Sequence, residues 1–225
     1  MSTAAGPDLE AVKLFPLPGV VLFPRAVLPL HIFEHRYRKM TADALHGDRH
    51  IAMALLQPGW EKSYYGRPAL DPIVCVGRIL SHEMLPDGKY NFLLQGVLRA
   101  RIVREVEAGE PYRVAEVQRL EEVPASEAQL ANSRARLTDL FLSPAMGQIG
   151  AGQQFRQIVR SDLPTPDVAD LAAFTFIESV PLKQDLLAEP DIRLRVGRTI
   201  DALEAFATAL PPSLHVRGPA DPSVN

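Results

Sequence analysis

The chain has 225 residues, with 24 Lys and Arg against 27 Asp and Glu and a formal net charge of −3. A hydrophobic content of 47% is ordinary for a globular protein and enough for a sizeable core. A pI near 6.1 argues against a dedicated nucleic-acid binder, which carries a strong basic excess, and leaves room only for a local basic patch.

The single cysteine, Cys75, excludes an intrachain disulfide and a cysteine-based zinc site, and fits a reducing compartment. The opening MSTAAGPDLEAVKLFPLPG lacks a basic start followed by an apolar core, so it does not read as a secretory signal. No run of 18 apolar residues exists, so no membrane span is expected and a cytoplasmic protein is the default.

Residues 1–11 are small and polar and read as a flexible arm. Val20-Val21-Leu22-Phe23 and Ala26-Val27-Leu28-Pro29-Leu30 are short apolar runs. Their prolines confine such runs to edges, bulges or strand ends. A short helix is predicted from Glu34 to Leu45, and Ile51 to Leu56 is another apolar run, ended by Pro58-Gly59. Ile73 to Leu85 is rich in β-branched residues. Pro86-Asp87-Gly88-Lys89 then gives a hairpin signal, because glycine tolerates the positive φ of the turn. Tyr90 to Gln95 reads as the return strand, Val97 to Val106 as the next, and Tyr112 to Leu120 as the last, after the turn Ala108-Gly109-Glu110-Pro111. Strands joined by tight turns predict an antiparallel β-barrel over residues 12–123.

After Pro124 the pattern becomes helical. Ser126 with Gln129 is a capping-box pair ahead of a helix to Leu142. Further helices are predicted over Ala151 to Val159, from an Asp167 cap to a break at Pro181, over Leu182 to Ala188, and from Asp191 to Leu210. Strands followed by helices, unmixed, define an α+β protein: a β-barrel at 12–123, a helical bundle at 124–210 and a disordered tail at 211–225.

The stretch LFPLPGVVLFPRAVLPLHIFEHRYRKM closely resembles the opening of the Lon N-terminal, or substrate-binding, domain family. Phe15, Pro16, Leu17, Val21, Phe23, Pro24, Pro29, Leu30, Ile32, Phe33 and Glu34 stand at the motif positions. CVGRILSHEMLPDGKYNFLLQGVLRARI resembles the family's second block, and VADLAAFTFIESVPLKQDLLAEPDIRLRVGRTIDAL its closing helices. The resemblance spans about residues 12 to 210 and implies a PUA-like β-barrel followed by a helical bundle. The chain has no G-x-x-x-x-G-K-[ST] for a phosphate-cradling loop, so it resembles stand-alone bacterial members that lack the ATPase and protease modules. What this implies is a polypeptide-binding module or an adaptor in protein quality control, with no cofactor and no chemistry of its own.

Several motifs invite a sharper reading. His31-Ile32-Phe33-Glu34-His35 spells H-x-x-E-H, an inverted zinc-protease motif. Pro29 and the strand-like run into Leu30 would make it straddle a strand end and a helix start, and the two histidines then lose their shared face. The family usually has Pro where His35 stands. Glu34, Arg36 and Arg38 could bind an anion, but a carboxylate at a helix N-terminus beside arginines is the simpler account. Cys75 and His82 lie seven apart on one strand, on opposite faces, and Ser133, Ser143 and Ser161 lack an elbow context.

Two surfaces remain. Arg78, Arg99 and Arg101 could form a basic face for RNA, the alternative function, although Glu105, Glu107 and Glu110 follow at once. The loop from Pro58 to Pro68 holds the only Trp. Trp60, Tyr64, Tyr65 and Arg67 are residue types that dominate binding hot spots, and they form the candidate partner-binding surface. The equally weighted alternative is that these rings close one end of the barrel. The expected partner is a polypeptide, held by apolar and aromatic contact on a groove or by strand addition at a sheet edge. The oligomeric state is not legible.

Overall fold

A computed structural model describes residues 9–64 and 66–210. The expected tail at 211–225 lies outside them, as does most of the expected arm. The first strand already begins at Leu9.

Six strands, β1 (Leu9–Leu17), β2 (Val27–Ile32), β3 (His50–Leu55), β4 (Ile73–Met84), β5 (Tyr90–Val106) and β6 (Arg113–Arg119), form one sheet, with α1 (His35–His46) between β2 and β3. Pairings β1–β3, β3–β4, β4–β5, β5–β6 and β6–β1 run in a ring. β2 joins only the first half of β5, so it is the free edge. One pair departs from the antiparallel expectation. β1 and β3 are parallel, because the segment between them, β2 plus α1, is a crossover long enough to bring the chain back in the same direction.

The ring encloses small side chains: Val12, Leu14, Ala52, Ala54, Val74, Val76, Ala100, Ala115 and Val117. A ring of five strands is narrow, and alanine and valine fit it. The other face of the sheet packs under α1 and the helices, through Phe15, Ile51, Met53, Ile73 and Cys75. β3 is buried on both faces, which explains why its sequence is a continuous apolar run rather than an alternation.

Two sequence readings change in the strands. Tyr90–Gln95 and Val97–Val106 are one strand, since Gly96 marks a bulge and not a turn. Val20 to Phe23 is no strand but a buried loop that crosses β5 at Gly96. Gly96 donates to the Ala26 carbonyl at 2.9 Å and accepts from Arg25 N–H at 2.8 Å. A Cβ at Gly96 would lie 2.0 Å from the Phe23 carbonyl oxygen, so only glycine permits this approach. The Asp-Gly hairpin forms as read, with Gly88 at φ +77 and Leu85 N–H bonded to Lys89 O at 2.8 Å.

The helices are α2 (Ala131–Leu142), α3 (Pro144–Gly147), α4 (Gly150–Ile158), α5 (Thr165–Phe176), α6 (Val180–Ala188) and α7 (Ile192–Ala209). Ser126 and Gln129 make the reciprocal capping-box bonds, although at a turn just before α2. Asp167 does not cap α5. The helix begins at Thr165, whose N–H and hydroxyl both donate to Glu127, at 2.8 and 2.6 Å. Pro181 does not break α5 either; it sits in the first turn of α6, where a missing N–H costs nothing. Phe141, Phe155 and Phe176 form the aromatic centre of the bundle, with centroids 4.9 to 5.2 Å apart.

Sheet and bundle are joined by a buried ion network. Arg99 of β5 donates to Asp170 of α5 at 2.6 Å and to the Leu187 carbonyl at 3.2 Å. Arg195 of α7 reaches Glu122 at 2.7 Å and the Glu189 carbonyl at 2.9 Å.

Candidate functional site

The free end of the sheet, β2 with the facing halves of β5 and β4, is where apolar side chains meet solvent. Register places Val27 beside Gln95, Pro29 beside Leu93, and His31 beside Asn91; on the far side Leu93 meets Ser81 and Tyr90 meets Met84. Phe33 is 62% exposed, with Val27 and Leu93 also open to solvent, whereas Met84, 65% exposed, pairs with Tyr90 and so lies on the other face of the sheet. The opposite face of the same strands, with Ile32, Phe92, Leu94 and Ile79, is buried in the core.

Two bulges widen this apolar surface. Opposite β4, the register of β5 skips Val97; opposite β5, that of β4 skips Leu80. Both skipped residues are exposed, at 46% and 47%. A bulge re-aims the side chain it leaves unpaired, and bulges concentrate near functional sites. Between the strands lies a shallow groove of about 450 Å³ over Pro29, His31, Ser81, Glu83, Asn91 and Leu93. The groove offers apolar contact at Pro29 and Leu93 beside the polar side chains of Ser81 and Glu83, and His31 Nδ1 and Asn91 Oδ1 pair with each other at 2.7 Å.

The H-x-x-E-H residues straddle two elements, as their sequence context implies. His31 is on β2, Glu34 and His35 are at the start of α1, and among the described residues no three His, Cys, Asp or Glu converge as metal ligands. Glu34 occupies the N-cap position of α1 without making a cap bond. Its carboxylate accepts from the Tyr64 hydroxyl at 2.6 Å and from Arg36 Nε at 3.1 Å. The Arg36 guanidinium lies between the rings of Tyr37 and Tyr64, 4.5 and 4.8 Å from their centroids. This arrangement ties the aromatic loop to α1 by cation–π contact. Arg38 leaves the cluster and lies over the Gly88 turn.

The aromatic loop divides its described side chains between two cavities. Trp60, on a short 3₁₀ turn (Trp60–Ser63), sets its ring edge-on to Tyr64 at 5.5 Å. Tyr64 and Arg67 line a cavity of about 320 Å³ with Arg36, Tyr112 and Arg113. Trp60 instead faces an apolar cavity of about 430 Å³ with Leu55, Pro58, Val180 and Pro181. Tyr65 lies outside the described residues.

The basic face also comes apart. Arg78 and Arg101 are exposed, but Arg99 is only 5% exposed and bound to Asp170. Alternation along β5 does put Arg99 and Arg101 on one side; the bundle covers that side over Arg99 alone. Cys75 is fully buried, and burial pushes its thiol up to about 12, with Arg99 opposing, so it is not a nucleophile at neutral pH. The exposure of Phe33, Leu80 and Leu93 is not legible in the sequence, because apolar residues in strand-like runs read as core.

The architecture is a ring of strands with an open apolar end, buttressed by a helical bundle. The chain's sequence and backbone assign it further. The model of the ATP-dependent protease La (LON) substrate-binding domain matches residues 11–205, so the chain belongs to that family. It is 27% identical over 195 residues to the Lon protease of Desulfosudis oleivorans, covering 84% of this chain and 23% of that protein. It is likewise 27% identical over 217 residues to Lon protease 2 of Sorangium cellulosum, covering 89% of this chain and 26% of the relative. The chain therefore spans about a quarter of the length of these relatives. Two solved structures share the fold. The N-terminal domain of a Mycobacterium avium complex Lon protease superposes with TM-score 0.68 at 18% identity, covering 87% of this chain and 98% of that one. A Lon N-terminal domain protein from Xanthomonas campestris gives 0.58 at 22%, covering 90% and 100%. No helix among the described residues is long and apolar enough to cross a membrane.

Proposed function

We propose that this domain captures apolar segments of polypeptide chains on the β2–β5–β4 face, without chemistry of its own, as a binding or adaptor module in protein quality control. The observation that carries this reading is the apolar surface itself. Phe33, Leu80 and Leu93, with Val27, are exposed on one side of a sheet end whose other side holds Ile32, Phe92, Leu94 and Ile79 in the core. An exposed apolar patch is costly to keep on a protein with no partner for it. The family match to a substrate-binding domain supports a polypeptide as that partner. The aromatic loop is the second candidate surface, but Tyr64 is already held by Glu34 and Arg36, which leaves fewer of its groups for a ligand.

The test is retention of a reduced, alkylated model polypeptide on immobilised protein. Phe33→Ser/Leu93→Ser should weaken capture about tenfold or more, since two apolar side chains lose their contact. Trp60→Ala/Tyr64→Ala should leave it within about threefold. Equal retention by the Phe33/Leu93 variant and the wild type would remove the face from consideration.

A further inference from the structure

A separate cleft of about 450 Å³ opens at the seam between sheet and bundle, 
lined by Gly96, Arg99, Arg119, Glu122, Asp170 and Arg195. Its floor is made of two guanidiniums that burial should forbid unless anions answer them. Arg99 is 5% and Arg195 2% exposed.

The anions present answer them incompletely. Asp170 accepts one bond from Arg99, at 2.6 Å. Arg195 Nε stands 3.5 Å from the same carboxylate oxygen and makes no hydrogen bond. Arg99 Nη1 is 3.7 Å from Glu122 Oε1, outside hydrogen-bond distance. Glu122 thus reaches both arginines through one oxygen, in an ion pair with Arg195 at 2.7 Å and a looser one with Arg99. It comes from the irregular segment after β6 and its side chain is one-third exposed, so it can leave without unfolding an element. At the mouth, Arg25 is paired with Asp167, while Arg119 is exposed and has no ion pair or hydrogen bond among the described residues. The charged groups lining the cleft are four arginines (25, 99, 119, 195) against three carboxylates (Glu122, Asp167, Asp170), a net of +1.

We propose that this cleft binds a small oxyanion, a phosphate or carboxylate group, and that Glu122 occupies the place the ligand's anionic group takes. Guanidinium forks recognise such groups through paired N–H donors, and the unused donors of Arg99 and Arg195 supply them. When the ligand enters, Glu122 swings to solvent and Arg119 closes on the anion from the rim. Val97 borders this cleft as well as the sheet end, but Arg99, Glu122 and Arg195 do not belong to the apolar face, so anion binding is tested separately from polypeptide capture.

The experiment measures thermal unfolding and calorimetric binding of the full chain with sodium phosphate, sodium malonate, and sodium chloride at matched ionic strength. Phosphate or malonate should stabilise the protein saturably beyond chloride; the two arms separate a phosphate from a dicarboxylate preference. E122Q removes the resident charge and should bind the anion about tenfold tighter, the scale of one displaced charge contact. R119Q should weaken it; Arg119 is exposed, so this variant keeps the test readable if E122Q folds poorly. The proposal is overturned if neither anion exceeds chloride in the wild type and R119Q responds identically. It is overturned equally if stabilisation is present but unchanged by both substitutions, which would mark an adventitious ion only.

Discussion

Removing the carboxylate at the centre of the seam, by Asp170→Ala, should be the most damaging single change of charge in the protein. Asp170 is buried, bonds Arg99 at 2.6 Å and stands 3.5 Å from Arg195 Nε. Burial pushes its carboxyl upward from the ordinary value, and the two arginines oppose that push. Without it, Arg99 keeps only the Leu187 carbonyl and a 3.7 Å approach to Glu122. Removing one partner of a buried ion pair leaves an uncompensated charge and costs about 3–5 kcal/mol. For a chain of this length that is a fall of roughly 10 °C in Tm. The assay is urea unfolding followed by circular dichroism, at 0.1 and 1 M salt, since a buried pair is screened far less than a surface one. Arg136→Ala is the control. Its partners Asp201 and Glu204 sit on the exposed α7 surface, and the loss should stay below about 1 kcal/mol and shrink with salt. Replacing the three groups together by apolar residues, Arg99→Met/Asp170→Leu/Arg195→Met, should recover much of the loss, because the desolvation penalty disappears with the charges. A cost for Asp170→Ala no larger than for Arg136→Ala would refute the claim that this network pins the bundle to the sheet.

Other outcomes follow from the same coordinates. Gly96→Ala places a Cβ 2.0 Å from the Phe23 carbonyl oxygen, so the crossing loop must shift, and a loss of about 2–3 kcal/mol is expected in the same denaturation assay. Glu105 is held below the ordinary carboxylate value of 4.5 chiefly by Arg113, against burial. A depressed folded-state pKa means that its contribution is present above pH 4.5 and is lost as pH falls through the lower folded value. Glu105→Gln should therefore flatten the acid limb of stability measured between pH 5 and about pH 2; an unchanged limb would contradict the pairing. Cys75, fully buried with its thiol raised to about 12, should resist thiol reagents in native buffer and react at the rate of global opening. Complete labelling within minutes would show that the seam opens locally.

What the sequence disclosed is what local chemistry decides. Asp87-Gly88 specifies its turn because the backbone there needs a positive φ, and Gly88 has it. α1 is legible because its buried positions Tyr37, Met40, Thr41 and Ala44 repeat at helical spacing. The family blocks located the fold as a whole. The misread features are those set by tertiary partners. Gly96 looks like a break in a strand until the Phe23 loop that crosses it is known. Arg99 has the right alternation for a solvent-facing arginine, and its partner Asp170 lies 71 residues away. Thr165 is capped by Glu127, 38 residues earlier, which no local pattern announces. The exposed face was hidden for the same reason. Phe33, Leu80 and Leu93 resemble core residues, and among the described residues no helix covers that end of the sheet.

The topology favours one of two modes for the proposed polypeptide capture. β2 is the free edge, and an extended segment could in principle extend the sheet there. Pro29 stands in the middle of that strand and has no N–H to give. β2 pairs with β5 without interruption from Val27 to Ile32, so the missing donor falls on the open side of the strand, where proline is tolerated. A strand added at this edge would lack a central hydrogen bond, the device by which natural sheets discourage edge pairing. The apolar face beside it carries no such penalty. Capture should therefore depend on the size of a segment's apolar side chains more than on its readiness to extend. A proline-interrupted apolar peptide should bind about as well as its uninterrupted counterpart, whereas main-chain augmentation would separate them by roughly tenfold.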